Sequence, residues 1–218
     1  MRQVAMGERT MLNLAVMGSG SGTNFQSLLD AVREGRLAAR LVCVISDNST
    51  AFILERARRA GLPAYAVDCS PFRTKLEGVG EARVLELLRA HGADCVALAG
   101  FMRLVKAGLL RAYAGRIVNI HPSLLPAFPG LRAWQQALDY GVKITGCTVH
   151  FVDEGADTGP IIAQRAVPVR DDDTPDTLHA RIQEQEHVIY PLALQWMAEG
   201  RLRLVGRRVL AAAPDPDP

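Results

Sequence analysis

The chain has 218 residues, 49% of them hydrophobic and 22% charged, with a formal net charge of +2. That balance describes an ordinary globular chain that can bury a sizeable core, as one α/β domain or at most two small ones. It argues against a strongly basic nucleic-acid binder or a polybasic membrane-surface protein, and no apolar run is long enough to span a bilayer.

The start, MRQVAMGERT, lacks the apolar stretch of a secretory signal, so residues 1–11 read as a short N-terminal extension. LNLAVM (12–17) is strand-like and runs into the loop GSGSGTN (18–24). FQSLLDAVREG then has helical spacing. RLVCVIS (40–46) is a second strand, and AFILERARRAG a helix closed by Gly61. AYAV (64–67) is a third strand, followed by a helix near Glu81–His91 with Gly92 as its stop. CVALA (95–99) is a fourth strand, KAGLLRAYAG (106–115) a helix, and RIVNI (116–120) a fifth strand. This alternation predicts a doubly wound, mostly parallel sheet with helices on both faces. The near-continuous apolar strands agree, because parallel strands are buried on both sides.

After Pro129 the rhythm changes. AWQQALDYG is a short helix, and KITGCTVHFV (143–152) and PIIAQRAVPV (160–169) are two strands joined by DEGADTG. Such a pair predicts antiparallel elements on one side of the sheet, giving an α/β fold with an antiparallel C-terminal part. Thr174 is placed to cap a last helix with Pro175 in its first turn, and Pro191 is expected to kink it. With no internal repeat or linker, residues 12–205 read as one domain. Residues 206–218, ending in AAAPDPDP, read as a disordered tail.

Cys43, Cys69, Cys95 and Cys147 form no C-x-x-C pair, and three of them lie in strand-like runs. Buried reduced thiols in a cytoplasmic protein are the expectation.

In open α/β sheets, ligands bind beyond the carboxyl ends of the strands. Three polar clusters fall there. The loop GSGSGTN lacks both the dinucleotide fingerprint and the Gly-Lys-Ser/Thr of a P-loop. What remains at Gly22, Thr23 and Asn24 is a nest of donors at a helix start, suited to one phosphate; a tight turn that needs glycine for steric reasons alone is the other reading. In NIHPS, Asn119 and His121 are two apart on a strand that Pro122 must end, so both point to one side. Two donors on one side can form an oxyanion hole. In DEGADTGP, Asp157 lies between Gly155 and Gly159, in a loop able to approach another segment closely. A carboxylate beside His121 would raise its pKa and fix its tautomer. AGFMRLV (99–105) can form the wall of an apolar slot for a flat ligand, or simply pack in the core. In the last helix Gln183 and Glu186 border the apolar stripe; they read either as surface residues or, if buried, as groups in need of partners. No G-x-S-x-G elbow occurs, and Cys95 sits inside a strand. These features suit acyl-type transfer to or from a small phosphorylated compound. They do not name donor or acceptor.

NIHPSLLPAFPG, with AGFMRLV before it and GADTGPII after it, resembles the folate-dependent phosphoribosylglycinamide formyltransferases of purine biosynthesis. GSGTNFQSLL and RIQEQEHVIYPLAL look like the same family, and the similarity runs in order over about residues 12 to 205. The resemblance implies formyl transfer from 10-formyltetrahydrofolate to the amine of glycinamide ribonucleotide, with no metal. It implies catalytic roles for Asn119, His121 and Asp157. It implies phosphate contacts at Gly22, Thr23 and Asn24, and ribonucleotide contacts at Gln183 and Glu186. The folate slot would be Met102, Arg103, Leu104, Val105 and Asn119, with the loop Asp153, Glu154, Gly155, Ala156 and Asp157. Lys75 matches a basic residue that meets the folate tail, although FRTKLEGVGEAR carries a small insertion there. The implied partners are these two small molecules, with neither nucleic acid nor membrane, for a monomer or homodimer.

Other classes remain open on sequence. A formyltetrahydrofolate deformylase shares the Asn–His–Asp pattern but usually carries an extra N-terminal domain, and a methionyl-tRNA formyltransferase a further C-terminal one. His121, His150 and Asp157 could form a two-His, one-carboxylate metal set. A non-enzymatic nucleotide-binding module is the last alternative.

Overall fold

The computed structural model describes residues 11–212. Leu12–Met17 forms β1, Thr23–Arg33 α1, Ala39–Ser46 β2, Phe52–Arg59 α2, Ala64–Ala66 β3, Lys75–Leu76 β4 and Val79–Ala90 α3. Cys95–Leu98 forms β5, Leu104–Val105 β6, Ala107–Ala112 α4, Ile117–His121 β7, Ala133–Tyr140 α5, Ile144–Phe151 β8 and Ile161–Pro168 β9. Pro175–Ala198 forms α6, and Leu202–Val205 and Arg208–Ala211 form β10 and β11.

The main sheet has seven strands in the order β3-β2-β1-β5-β7-β8-β9. The pairs from β3 to β7 are parallel, and β7–β8 and β8–β9 are antiparallel. Pro168, which has no N–H to give, closes the edge strand β9.

The apolar runs of the central strands serve two cores. Leu14 and Val16 pack with Phe25 and Leu28 of α1, Ile53 of α2, and Leu178 and Ile182 of α6. Ala15 and Met17, alternating with them, pack with Val84 and Leu87 of α3 and Leu109 of α4. The period of two along a strand therefore puts one core on each face of the sheet.

Thr174 caps α6 as expected: its hydroxyl accepts the Thr177 N–H while the Thr177 hydroxyl accepts the Thr174 N–H, and Pro175 occupies the first turn. The helix continues through Pro191 to Ala198. Tyr190, fully buried, donates its hydroxyl hydrogen between the carbonyls of Leu98 at 2.9 Å and Val118 at 3.0 Å. This fixes α6 against the ends of β5 and β7, where the candidate site lies.

Two expectations require correction. The disordered tail does not begin at 206, because β10 and β11 form an antiparallel hairpin turning at Gly206 and Arg207. RLRL alternates polar and apolar residues, and a glycine separates this run from RRVLA, which is a hairpin signal. The segments β4 and β6 were also not expected as strands; they pair in parallel as a separate two-stranded ribbon, Lys75 opposite Leu104. The N-terminal extension up to residue 10 and the AAAPDPDP end from residue 213 lie outside the described residues.

Candidate active site

The strand β7 carries Asn119 and His121 to the carboxyl edge of the sheet. Its antiparallel partner β8 sets Asn119 opposite His150 and His121 opposite Thr148. Both loops that follow these strands fold back over the two polar side chains.

The first loop, 122–130, is held by buried hydroxyls. Thr148 Oγ1 donates to the Ser123 carbonyl at 2.6 Å, and accepts from Leu125 N at 3.0 Å and Gln164 Nε2 at 2.9 Å. Ser123 Oγ donates to the Ala127 carbonyl at 2.5 Å. Ser123 and Thr148 are fully buried, so these bonds replace water for groups that could not go without a partner. The loop places the Phe128 carbonyl 2.9 Å from His121 Nε2. It also places Gly130 N 2.8 Å from Asp157 Oδ2, to which it donates.

The second loop, 153–159, supplies that carboxylate. Asp153 Oδ1 accepts from Thr158 Oγ1 at 2.6 Å and Gly155 N at 3.2 Å, closing the loop on itself. Asp157 sits in the left-handed region at φ 56°. A Cβ on Gly159 would lie 1.7 Å from the Phe151 carbonyl oxygen, so only glycine permits the loop to leave β8 so closely. The result is Asp157 Oδ2 at 3.4 Å from His121 Nδ1, with His121 buried. Each nitrogen of His121 thus faces an oxygen atom, Nε2 the Phe128 carbonyl and Nδ1 the Asp157 carboxylate.

His150 completes the cluster; the sequence suggested it only as a ligand in the alternative metal set, not as a residue beside the oxyanion donors. It is buried, and burial lowers its pKa from the ordinary value. Its Nδ1 donates to the Phe151 carbonyl at 2.8 Å, so the neutral ring presents Nε2 as an acceptor. The Asn119 amide donates to it at 3.1 Å. That bond decides which way round the amide lies and leaves its second N–H for another acceptor. Asp157 Oδ1 is 3.8 Å from His150 Nε2, too far for a hydrogen bond. A histidine inside the apolar run TVHFV was the available signal, since such a residue needs a partner; which partner depended on the strand register. His121, His150 and Asp157 do converge, but among the described residues no group of His, Cys, Asp and Glu is arranged to hold a metal ion.

The glycine loop meets the other side of the site. Gly22, at φ 73°, caps α1 without any side-chain acceptor for the first-turn amides. Asn24 turns its amide to α6 and donates to Glu186 Oε2 at 2.8 Å, while Asn24 Oδ1 is buried without a partner. Glu186 is therefore a buried group, not a surface one, and burial pushes its pKa up to about 7. Gln183, one turn earlier, is half-buried. A cleft of about 360 Å³ runs along α1 from Thr23 past Gln26, Ser27 and Asp30, with Arg56 and His187 on its other walls.

On the expected folate side, Met102 is 56% and Leu104 39% exposed, while Val105 is buried. Exposed apolar groups in a row at a strand end form a surface that a flat ligand can cover. Arg103 does not project freely: its Nε donates to Asp47 Oδ2 at 2.6 Å, and Nη1 donates to the Phe72 carbonyl. Asp47 Oδ1 accepts from Ser19 Oγ at 2.5 Å, and Ser19 Oγ accepts from Met102 N at 2.9 Å. This chain ties together the loops after β1, β2 and β5. Lys75 stands beside Leu104 by strand pairing, salt-bridged to Glu77 and 4.5 Å from the Phe72 ring centre.

No thiol is a candidate nucleophile. The four cysteines are free and buried, and burial raises Cys43 to about 11 and Cys95 and Cys147 to about 12.

A sequence profile of the formyl transferase family matches residues 12–194. The chain belongs to the formyl transferase family. Among relatives, it is 43% identical over 185 residues to a phosphoribosylglycinamide formyltransferase of Bacillus subtilis, covering 85% of this chain and 94% of that one. It is 42% identical over 196 residues to the enzyme of the same name from Escherichia coli, covering 88% and 90%. A crystal structure of glycinamide ribonucleotide transformylase 1 from Symbiobacterium toebii superposes with a TM-score of 0.90 at 50% identity, covering 97% of this chain and 99% of that one. Within the formyl transferase family, then, both sequence and fold agree over nearly the whole length.

Proposed function

We propose that this chain transfers the formyl group of 10-formyltetrahydrofolate to the amine of glycinamide ribonucleotide, with tetrahydrofolate as the second product. The observation that carries the mechanism is the convergence of Asn119, His121 and Asp157 from one strand and a distant loop, with Asp157 Oδ2 3.4 Å from His121 Nδ1. Names of relatives at 42–50% identity support the choice of donor and acceptor.

In this reading the substrate amine attacks the formyl carbon, and the carbonyl oxygen becomes a tetrahedral oxyanion. The free N–H of Asn119 and the His121 ring donate to it. An oxyanion is a stronger acceptor than the neutral Phe128 carbonyl that Nε2 meets in the structure. Asp157, facing Nδ1, orients the ring. The amine then gives up a proton and the departing folate nitrogen takes one, through His121 or an ordered water. No covalent enzyme intermediate is needed, in keeping with four buried, protonated thiols.

The ribonucleotide phosphate lies on the first-turn amides of α1 at Gly22, Thr23 and Asn24. Its ribose hydroxyls meet Glu186, Gln183 and the unpartnered Asn24 Oδ1. The folate ring lies between the 153–157 loop and the Met102–Val105 segment, with its acidic tail toward Lys75. The working unit is a cytoplasmic monomer or homodimer acting on small molecules alone.

The test is spectroscopic turnover of 10-formyltetrahydrofolate with and without glycinamide ribonucleotide. Release strictly dependent on the ribonucleotide is expected. Equal release into water alone would assign a hydrolase instead.

A further inference from the structure

The 153–159 loop is short, rich in glycine, and carries three carboxylates in five residues: Asp153, Glu154 and Asp157. Its internal ties end on Asp153, and Asp157 is held by the Gly130 N–H and faces the His121 ring. One further tie comes from far along the chain. The β10–β11 hairpin packs against the edge strand β9. Gly206, at φ 60°, and Arg207 make its two-residue turn, which puts Arg207 at the tip. From there Arg207 Nη2 donates to the Thr158 carbonyl at 2.6 Å, across 49 residues of sequence.

Thr158 follows Asp157 directly, and its own hydroxyl donates to Asp153. A guanidinium on its carbonyl therefore fixes the loop at the point where its internal cap and its catalytic carboxylate meet. The hairpin lies beyond residues 12–194, the span matched by the family profile.

We propose that Arg207 is a positioning residue that braces the 153–159 loop for the formyl folate; this rests on the folate role given to that loop above. Among the described residues Arg207 has no hydrogen bond or ion pair with Asn119, His121 or the phosphate loop, so it acts on the site through the 153–159 loop: on formyl folate binding and, through Asp157, on kcat, with the ribonucleotide contacts left as they are.

The test is steady-state kinetics of Arg207→Ala and Arg207→Lys for both substrates, with thermal unfolding of each variant. Loss of one exposed charged hydrogen bond predicts a rise of about threefold to tenfold in KM for formyl folate. The KM for the ribonucleotide and the unfolding temperature stay as in the parent, and lysine, which keeps a cationic donor, restores part of the loss. An unchanged KM for formyl folate overturns the proposal, as does an equal loss toward both substrates with a lowered unfolding temperature. Asp153→Ala, which removes the cap within the loop, separates the two levels. If it raises the formyl folate KM and Arg207→Ala does not, the brace alone fails. If neither raises it, the folate role of the loop fails and the brace with it.

Discussion

The Asn119 amide donates to Nε2 of His150 at 3.1 Å, across two antiparallel strands whose register sets the two residues face to face. The neutral histidine is thus the element that points one N–H of Asn119 away from the sheet and toward the place where an oxyanion would form. His150→Ala should lower kcat by about tenfold, less than loss of the donor itself, because the amide survives but loses its fixed direction. KM for either substrate should change little. Steady-state kinetics over both substrates checks this.

The same contact predicts an acid limb. His150 has its pKa lowered by burial, so in the folded protein the ring stays neutral at pH values where a free histidine has begun to charge. Protonation would put an N–H against the donating amide. Activity should therefore fall below the ordinary histidine value of 6.5, and His150→Gln, which keeps an acceptor without a titrating ring, should shift that limb. His179 and His187 are lowered by burial in the same direction. Stability from all three is present above pH 6.5 and declines as the pH falls below it.

Glu186 acts with the opposite sign. Its folded pKa is raised to about 7 from 4.5, so the folded state holds a proton that the unfolded chain has released. Its contribution is fully present below pH 4.5 and is lost as the pH rises through about 7. Glu186→Gln retains an acceptor for Asn24 and removes the titration. Its unfolding temperature should exceed that of the parent at pH 8 and match it near pH 5, in thermal melts at both values. Because the ribose is assigned to the same residue, KM for the ribonucleotide should rise in the same variant.

Thr148 is predicted to be the anchor of the 122–130 loop. Thr148→Val keeps the shape but strands the Leu125 N–H and the Ser123 carbonyl in a buried place, while the exposed Gln164 amide keeps its bond to the Leu125 carbonyl. At about 1–3 kcal/mol for an unsatisfied buried group, and with partial relaxation, the loss should be about 2–4 kcal/mol in denaturant unfolding. A smaller cost would mean that the two groups find other partners.

The doubly wound sheet was legible because its strands are almost wholly apolar and its helices end in glycines at 61, 92 and 115. The antiparallel turn of β8 and β9, and the cap at Thr174, were legible for equally local reasons. So was the pairing of Asn119 and His121 on one side of β7, which needs only a period of two and a proline stop. His150 was not, because its importance lies in which residue stands opposite on the next strand, and register is a property of the assembled sheet. Glu186 was ambiguous because a residue at the border of an apolar stripe is buried or exposed according to what packs there, here Asn24 from α1. The two-residue strands β4 and β6 carry no periodic signal at all. The hairpin at 202–211 did carry one, in RLRLVGRRVLA, but the proline-rich end after it dominated the reading.

The central idea is that an amide and an imidazole on one strand, the ring oriented by a carboxylate from a distant loop, stabilise one negative oxygen. The most direct measurement is the single-turnover rate of formyl transfer to glycinamide ribonucleotide by purified Asn119→Ala and His121→Ala, each with both substrates saturating. Loss of one oxyanion donor predicts a fall of about 10²–10³ in that rate for each variant, with the fold intact by circular dichroism. A rate within a few-fold of the parent in either variant would contradict the account.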